Sequence, residues 1–406
     1  MILTLVKNEL IKTFSKAKTW IIFALFAVFI TGMSFVFYKQ SKQTEFYMSP
    51  EHQLENFNRQ KESNNEEIKR LENNNDEKSK EMIASMEASN KSLDMDIAKY
   101  EKIVNSSEEE RWKMELNLEK EELTANINEG NISESLKEYS EERLEEINKF
   151  LDNNEKPIES WMFDGVNFAK GIMKILGMVI LAAGIAVFMS DVVSGEATPA
   201  TFKFLLVQPV SRGKIILSKF ISIVITVVGL IGGLEIIAFG VISAIAGAKG
   251  GKMPLRIGVE YMWDYNNLTD AGLPTLTQVN GSGIMSTRGT ALLQGFLLQI
   301  LFIIACCAFI FLISAIFNSS MITMAVSVII PVAVTMSSLI SSGVFKIAHL
   351  IFFNYGSTVE VITGDIVQVF QNPNITLQFG IVIMCLTIVI SYSLAHFIFC
   401  KKDILA

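Results

Sequence analysis

Two Gly-Lys pairs, Gly213-Lys214 and Gly251-Lys252, are the places where this chain could cradle a nucleotide phosphate. A phosphate-binding loop needs a leading glycine five residues upstream and a Ser or Thr after the lysine, whose hydroxyl reaches the magnesium ion. Neither pair fits: Gln208 and Ala246 stand where that glycine is required, and Ile215 and Met253 where the hydroxyl is required. His349 and His396 lack partners at metal-ligand spacing. Cys306, Cys307, Cys385 and Cys400 lie in apolar runs or at the end of one, giving neither a zinc pattern nor a disulfide framework. No nucleophile, base and orienting group can be assembled, so no metal site and no catalysis are expected on this chain. Glu235 is the remaining candidate, because it lies near the middle of an apolar run, where a carboxyl is costly and therefore informative. Two readings stay open. It lines a substrate path or binds a cation, or it is a structural carboxyl, protonated or hydrogen-bonded to a neighbouring helix.

The polar stretch with most pattern runs from Asp191 to Lys219. Thr198 can cap a helix with Pro199 in its first turn, Phe202, Leu205 and Leu206 give that helix an apolar face, and Pro209 ends it. Lys203 and Arg212 add positive charge beside that face. The result is a short amphipathic helix over 198–210, followed by a basic turn.

The succession Gly195-Glu196, Leu205-Leu206, Pro209-Val210-Ser211-Arg212 and Lys214 resembles ATP-binding cassette (ABC) exporter permeases of the type-2 family. It departs from their commonest pattern at Ala197-Thr198-Pro199, where a Gly-Thr pair often follows the acidic residue. The resemblance implies a coupling helix that docks into a cleft on a separate ATPase, with Glu196, Phe202, Lys203, Leu205, Leu206, Pro209 and Arg212 at the contact. It further implies a pair of ATPase subunits carrying the ATP and magnesium, a second permease subunit as homodimer or heterodimer partner, and no cofactor on this chain. Family members often begin with an interfacial elbow helix containing a glutamate. Here Leu3, Val6, Leu10 and Phe14 recur at helical spacing within residues 1–18 and Glu9 supplies the carboxylate.

These residues must be positioned by membrane spans. Of 406 residues 50 % are hydrophobic and 19 % charged, too apolar for an ordinary soluble chain. Six stretches reach the roughly 20 apolar residues that cross a bilayer. They are Trp20 to Tyr38, Gly171 to Ser190, Ile221 to Ala248, Ala291 to Phe317, Met321 to Val344 and Thr376 to Cys400, with Lys174 expected to snorkel to the interface. The 19-residue first run exceeds a signal-peptide core and is read as a retained span. Lysines and arginines in the short connections favour both termini inside: Lys7, Lys12, Lys16, Lys18, Lys203, Arg212, Lys214, Lys219, Lys401 and Lys402 fall on one side. Glu235 then lies in the outer half of the membrane. Gly229, Gly232, Gly233 and Gly240 in its run are expected to permit close helix packing, and Pro331 to bend the fifth span. Between the last two spans, residues 345–372 are too polar to cross, and the resemblance implies a re-entrant or interfacial segment there. Ile347, Leu350, Ile351, Phe352 and Phe353 are expected to touch lipid.

The net charge of −7 is unevenly spread. Residues 39–160 hold 18 basic against 31 acidic side chains, leaving 17 basic and 11 acidic elsewhere. No dense basic patch results, so nucleic-acid binding is not expected. The excursion at 39–170 is rich in helix formers and has no proline between Glu51 and Lys156. A weak 3,4 seam runs Leu54, Phe57, Lys61, Asn64, Ile68, Leu71, Asn75, Lys78, Met82, Ser85, and shorter apolar series recur at Trp112, Leu116, Leu123, Ile127 and at Leu144, Ile147, Leu151. The expectation is one long coiled-coil-like hairpin, reversing between Val104 and Glu109 with a further break near Gly130, outside the cell and available to an extracellular ligand or envelope protein.

The whole reading is an all-α membrane protein in a bacterial plasma membrane: six transmembrane helices, an N-terminal interfacial helix, and a long extracellular helical hairpin between the first two spans. Its expected activity is ATP-driven export of a peptide antibiotic, lipid or ion. The rival is a non-transporting receptor or secretion scaffold, similar in element order to phage-infection-protein-like membrane proteins. An ion-coupled transporter built on Glu235 is a third possibility.

Overall fold

A computed structural model describes residues 2–72, 76–128, 134–197, 210–268, 272, 274–340 and 346–401. The chain forms two compact units, Met1–Val36 with Phe163–Ala406, and Phe37–Met162. Six helices are long and apolar enough to cross a membrane: α2 (Ala17–Met48), α7 (Gly165–Met189), α8 (Arg212–Ala246), α9 (Arg288–Ile316), α10 (Ser320–Ile340) and α13 (Leu377–Lys401). The expected six spans are all present, each containing most of its apolar run. The protein is an all-α membrane protein with two small sheets.

The first unit is entered through a short helix, α1 (Ile2–Phe14). The turn into α2 is fixed locally, because the Thr19 hydroxyl donates to the Thr13 carbonyl at 2.6 Å and the Trp20 indole N–H to the Phe14 carbonyl at 2.8 Å. The spans then alternate in direction, so their ends form two layers. In the basal layer, Lys16 and Lys18 at the start of α2 meet Asp191 just after α7. In the distal layer, Asp164 caps α7 by accepting from the Asn167 N–H at 2.8 Å, and its other oxygen accepts from the Gly250 N–H at 2.7 Å. That one carboxylate ties the start of α7 to the turn that follows α8.

Between α8 and α9 the chain makes four short strands that the sequence reading did not anticipate. β1 (Pro254–Ile257) pairs antiparallel with β4 (Ile284–Thr287), and β2 (Tyr261–Leu268) with β3 (Pro274–Gln278). Their alternation is too short and too polar to stand out from loop sequence. Backbone bonds from Gly258 to the Ile362 carbonyl at 2.7 Å and from Val259 to the Thr363 carbonyl at 3.0 Å attach them to α11 (Thr358–Thr363).

The segment before α13 is a folded, non-spanning insert: two 3₁₀ turns at Ala348–Leu350 and Phe352–Tyr355, then α11 and α12 (Ile366–Phe370). Of the residues expected to touch lipid, Ile347 and Leu350 are half exposed. Phe352 and Phe353 are buried instead, stacked with Phe302 and Phe309 of α9, because burying two rings against protein satisfies them fully. Lys174 does not snorkel alone. Its ammonium pairs with Glu360 of α11, while its carbonyl accepts from the Ser357 hydroxyl at 3.1 Å.

Close packing falls on different glycines from those expected. Gly229, Gly233 and Gly240 have open space where a Cβ would stand, and Gly232 only an ordinary contact with Phe296. The tightest approach among the described residues is Gly177 against Gly356, where the added carbon of either would strike the other's backbone. Gly177 lies in a π-helical turn, Leu176–Ile180, that widens α7 at this point. A Gly356→Val substitution should therefore overpack the contact and lower stability by about 2 kcal/mol, read as a drop in unfolding temperature of the detergent-solubilised protein.

The second unit corrects the single long hairpin. Its first arm stops at Leu71, giving α3 (Pro50–Leu71), α4 (Glu77–Asn105), α5 (Glu108–Asn128) and α6 (Glu134–Asp152). α3 and α4 are antiparallel, since Phe57 meets Tyr100, Lys61 pairs with Asp94, and Asn64 bonds Asn90 at 2.9 Å. The seam Leu54, Phe57, Lys61, Asn64, Ile68, Leu71 is the inward stripe of α3. It does not continue through Met82 and Ser85, which are exposed; α4 restarts it as Ser79, Ile83, Met86, Asn90, Leu93. Residues 73–75 and 129–133, including Asn75 and Gly130, lie outside the described residues. The reversal expected between Val104 and Glu109 falls at Ser106-Ser107, and α5 packs on α6 through Leu116, Ile147 and an Arg143–Glu119 pair at 2.7 Å.

Candidate functional site

The basal layer is held by buried polar contacts. α1 packs along α8, and Val6 is its one fully buried residue; Leu3 and Phe14 of the same stripe are exposed. One helical turn on from Val6, Glu9 accepts from the Lys219 ammonium at 3.1 Å. Lys219 is 1 % exposed, so its ammonium has been withdrawn from water into the α1–α8 contact. Asp191 accepts from Lys18 at 2.8 Å and Lys16 at 3.3 Å. Burial opposes its ionisation, yet the two ammonium groups outweigh that and hold its carboxyl below the ordinary range.

Ser314, near the end of α9, is fully buried and uses its whole hydrogen-bonding capacity. Its hydroxyl accepts from the Val193 N–H at 3.1 Å and the Ser194 N–H at 3.0 Å, and donates to the Ser190 carbonyl at 3.0 Å. The two N–H groups belong to the turn that follows α7, and the Ser190 carbonyl also accepts from the Ser194 hydroxyl at 2.7 Å. Past the 3₁₀ turn Ser194–Ala197, which contains Glu196, the chain leaves the described region; it returns before α8, where the Arg212 guanidinium donates to the Cys400 carbonyl of α13 at 3.4 Å. Phe202, Lys203, Leu205, Leu206 and Pro209 lie outside the described residues, as does the side chain of Glu196. The described chain on either side of the segment is held by α9 at Val193 and Ser194 and by α13 at Arg212.

Glu235 stands apart from this layer, toward the distal end. It is 8 % exposed, and one carboxylate oxygen accepts from the Gln299 amide of α9 at 2.8 Å. The second oxygen has no hydrogen-bond partner among the described residues. Glu235 forms part of the wall of a cavity of about 380 Å³ between α7, α8 and α9. The carboxyl therefore faces protein and cavity.

A family model described as ABC-2 family transporter protein matches residues 3–404, nearly the whole chain. The chain belongs to the ABC-2 transporter family. It is also similar to the uncharacterized protein YhcI of Bacillus subtilis (strain 168), 25 % identical over 303 residues that cover 72 % of this chain and 84 % of that protein.

As an ABC-2 permease the chain is a multi-pass membrane component. The pairs that assemble its basal layer include three that hydropathy did not single out: Lys219 with Glu9, Asp191 with the two lysines, and Ser314 with the end of α7. Ser314 stands alone in the apolar run that ends α9 and gives no periodic signal, and its partners lie about 120 residues away in sequence. Removing its hydroxyl with Ser314→Ala leaves two buried N–H groups unmet. A loss of about 2 kcal/mol in unfolding free energy is expected, with Ser314→Thr restoring most of it.

Proposed function

We propose that this ABC-2 chain is the transmembrane permease subunit of an ATP-driven exporter, coupling hydrolysis on a separate pair of ATPase subunits to efflux of a peptide antibiotic, lipid or ion. The observation that carries this is the match to ABC-2 transporters over residues 3–404. The chain itself has no phosphate-binding loop, so ATP and magnesium belong on the partner. Both termini are cytoplasmic in this reading, in a bacterial plasma membrane, with the basal layer facing the ATPase. Two permease subunits form the path, and the Phe37–Met162 unit lies outside, open to an extracellular ligand.

The mechanism follows from how the segment at 198–209 is anchored. ATP binding draws the ATPases together and moves the apolar face of Phe202, Leu205 and Leu206. The displacement enters α7 and α9 through the Ser314 bonds, α13 through Arg212, and α1 through Lys219 and Glu9. A push on the segment is delivered to several spans at once rather than absorbed in a loose loop.

The test is cysteine crosslinking from position 205 in membranes that contain the whole complex. A crosslink to an ATPase, strengthened or weakened by nucleotide, is the expected result. Absence of any ATPase from the crosslinked and co-purified material would overturn the exporter reading and leave a receptor or secretion scaffold.

A further inference from the structure

The Glu235 cavity has a composition that points to a ligand. Its walls are apolar, with Phe168 and Ile172 from α7, Phe239 from α8, and Leu292 and Phe296 from α9. Of the thirteen described residues that line it, Glu235 is the only ionisable one. A carboxylate in so apolar a place is unfavourable unless a donor or a cation meets it. Gln299 supplies one donor to one oxygen, and the other oxygen is buried with no partner among the described residues. What would complete this wall is a group that donates hydrogen bonds, carries positive charge, and is attached to an apolar body.

The volume and the opening agree with that. About 380 Å³ lies within the roughly 300–1,000 Å³ typical of small-ligand pockets. Ile236 and Leu293, on the flank of the cavity, are 58 % and 61 % exposed, so the pocket is open at the depth of the apolar spans. A molecule dissolved in the bilayer reaches it sideways, apolar part first, without crossing water. The three phenyl rings add faces on which an ammonium is attracted rather than merely tolerated.

We infer that the pocket between α7, α8 and α9 binds apolar primary amines from the bilayer, with Glu235 as the counter-ion and Gln299 as the residue that orients it. Such amines define a substrate or modulator class for the permease; that role rests on the exporter reading, whereas the binding itself does not. A neutral amphiphile of the same length fills the apolar walls but leaves the carboxylate unneutralised.

The purified full chain in lipid nanodiscs, without ATPase, is labelled with a diazirine-bearing alkyl amine, and the adducts are mapped by mass spectrometry. Labelling is expected on residues 236–239 and 289–296, with octylammonium competing at least ten-fold better than 1-octanol. Glu235→Gln should reduce labelling at least five-fold. Ala238→Phe, which fills the cavity without touching the polar pair, should do the same and serves where the Gln variant folds poorly. Equal competition by octanol, or labelling that neither variant changes, would overturn the proposal and leave a plain lipid groove. Because no ATPase takes part, a negative result leaves the exporter reading standing, and a failed ATPase crosslink leaves this site standing.

Discussion

Glu9→Gln is expected to lower the unfolding free energy of the permease by about 3 kcal/mol, the cost of removing one partner from a buried ion pair. The asymmetry of the pair sharpens the expectation. Lys219 is 1 % exposed, while the Glu9 side chain is 20 % exposed. Taking the carboxylate away leaves an ammonium that water cannot reach without opening the α1–α8 contact. Lys219→Met is milder, about 1 kcal/mol, because the remaining carboxylate can turn toward solvent and the methionine fills most of the lysine's volume. The double variant Glu9→Gln with Lys219→Met should recover much of the loss of the first, since no charge is then buried. Thermal unfolding of the four proteins in one detergent measures all of this as a cycle. Additive losses, with no recovery in the double variant, would show that the pair is not what joins α1 to α8.

Leu205→Asp is expected to weaken binding of the ATPase about a hundred-fold, equivalent to roughly 3 kcal/mol. In the exporter reading Leu205 sits at the centre of the apolar face that enters the ATPase cleft, and a carboxylate buried there lacks a partner. Leu205→Met keeps volume and polarity and should stay close to the parent. Lys203→Ala, which removes a charge at the edge of the face, should cost less than ten-fold and show up chiefly in the association rate and its salt dependence. The dissociation constant between purified permease and ATPase decides the matter. A Leu205→Asp protein that binds within two-fold of the parent would remove 198–209 from the interface and with it the coupling route through Ser314, Arg212 and Lys219.

Much of the architecture was legible from local pattern. Crossing a bilayer is a property of about 20 consecutive residues, so the six spans could be read by moving along the chain. The inward stripe of α3 was visible in the 3,4 spacing from Leu54 to Leu71 for the same reason. Its end was less visible: the helix-forming composition continues past Leu71, and the local mark of a new helix is Asp76, which caps α4 by accepting from the Ser79 N–H at 3.1 Å. The strands between α8 and α9 were missed because strands of four to eight residues in a polar connection leave little periodic signal.

The sequence by itself therefore determined the class of the protein, its six spans and its N-terminal helix. The tertiary structure alone decided the partners. Glu9 and Lys219 are 210 residues apart, Glu235 and Gln299 are 64 apart, and Gly177 touches Gly356 from a distant part of the chain. Inside a bundle every helix offers an apolar surface, so hydropathy cannot say which face meets which. A buried charge, an unmet N–H or a missing Cβ can be satisfied by only a few geometries, and those few fix Lys219 of α8 against Glu9 of α1, Ser314 under the end of α7, and Glu235 beside Gln299 in the wall of the cavity.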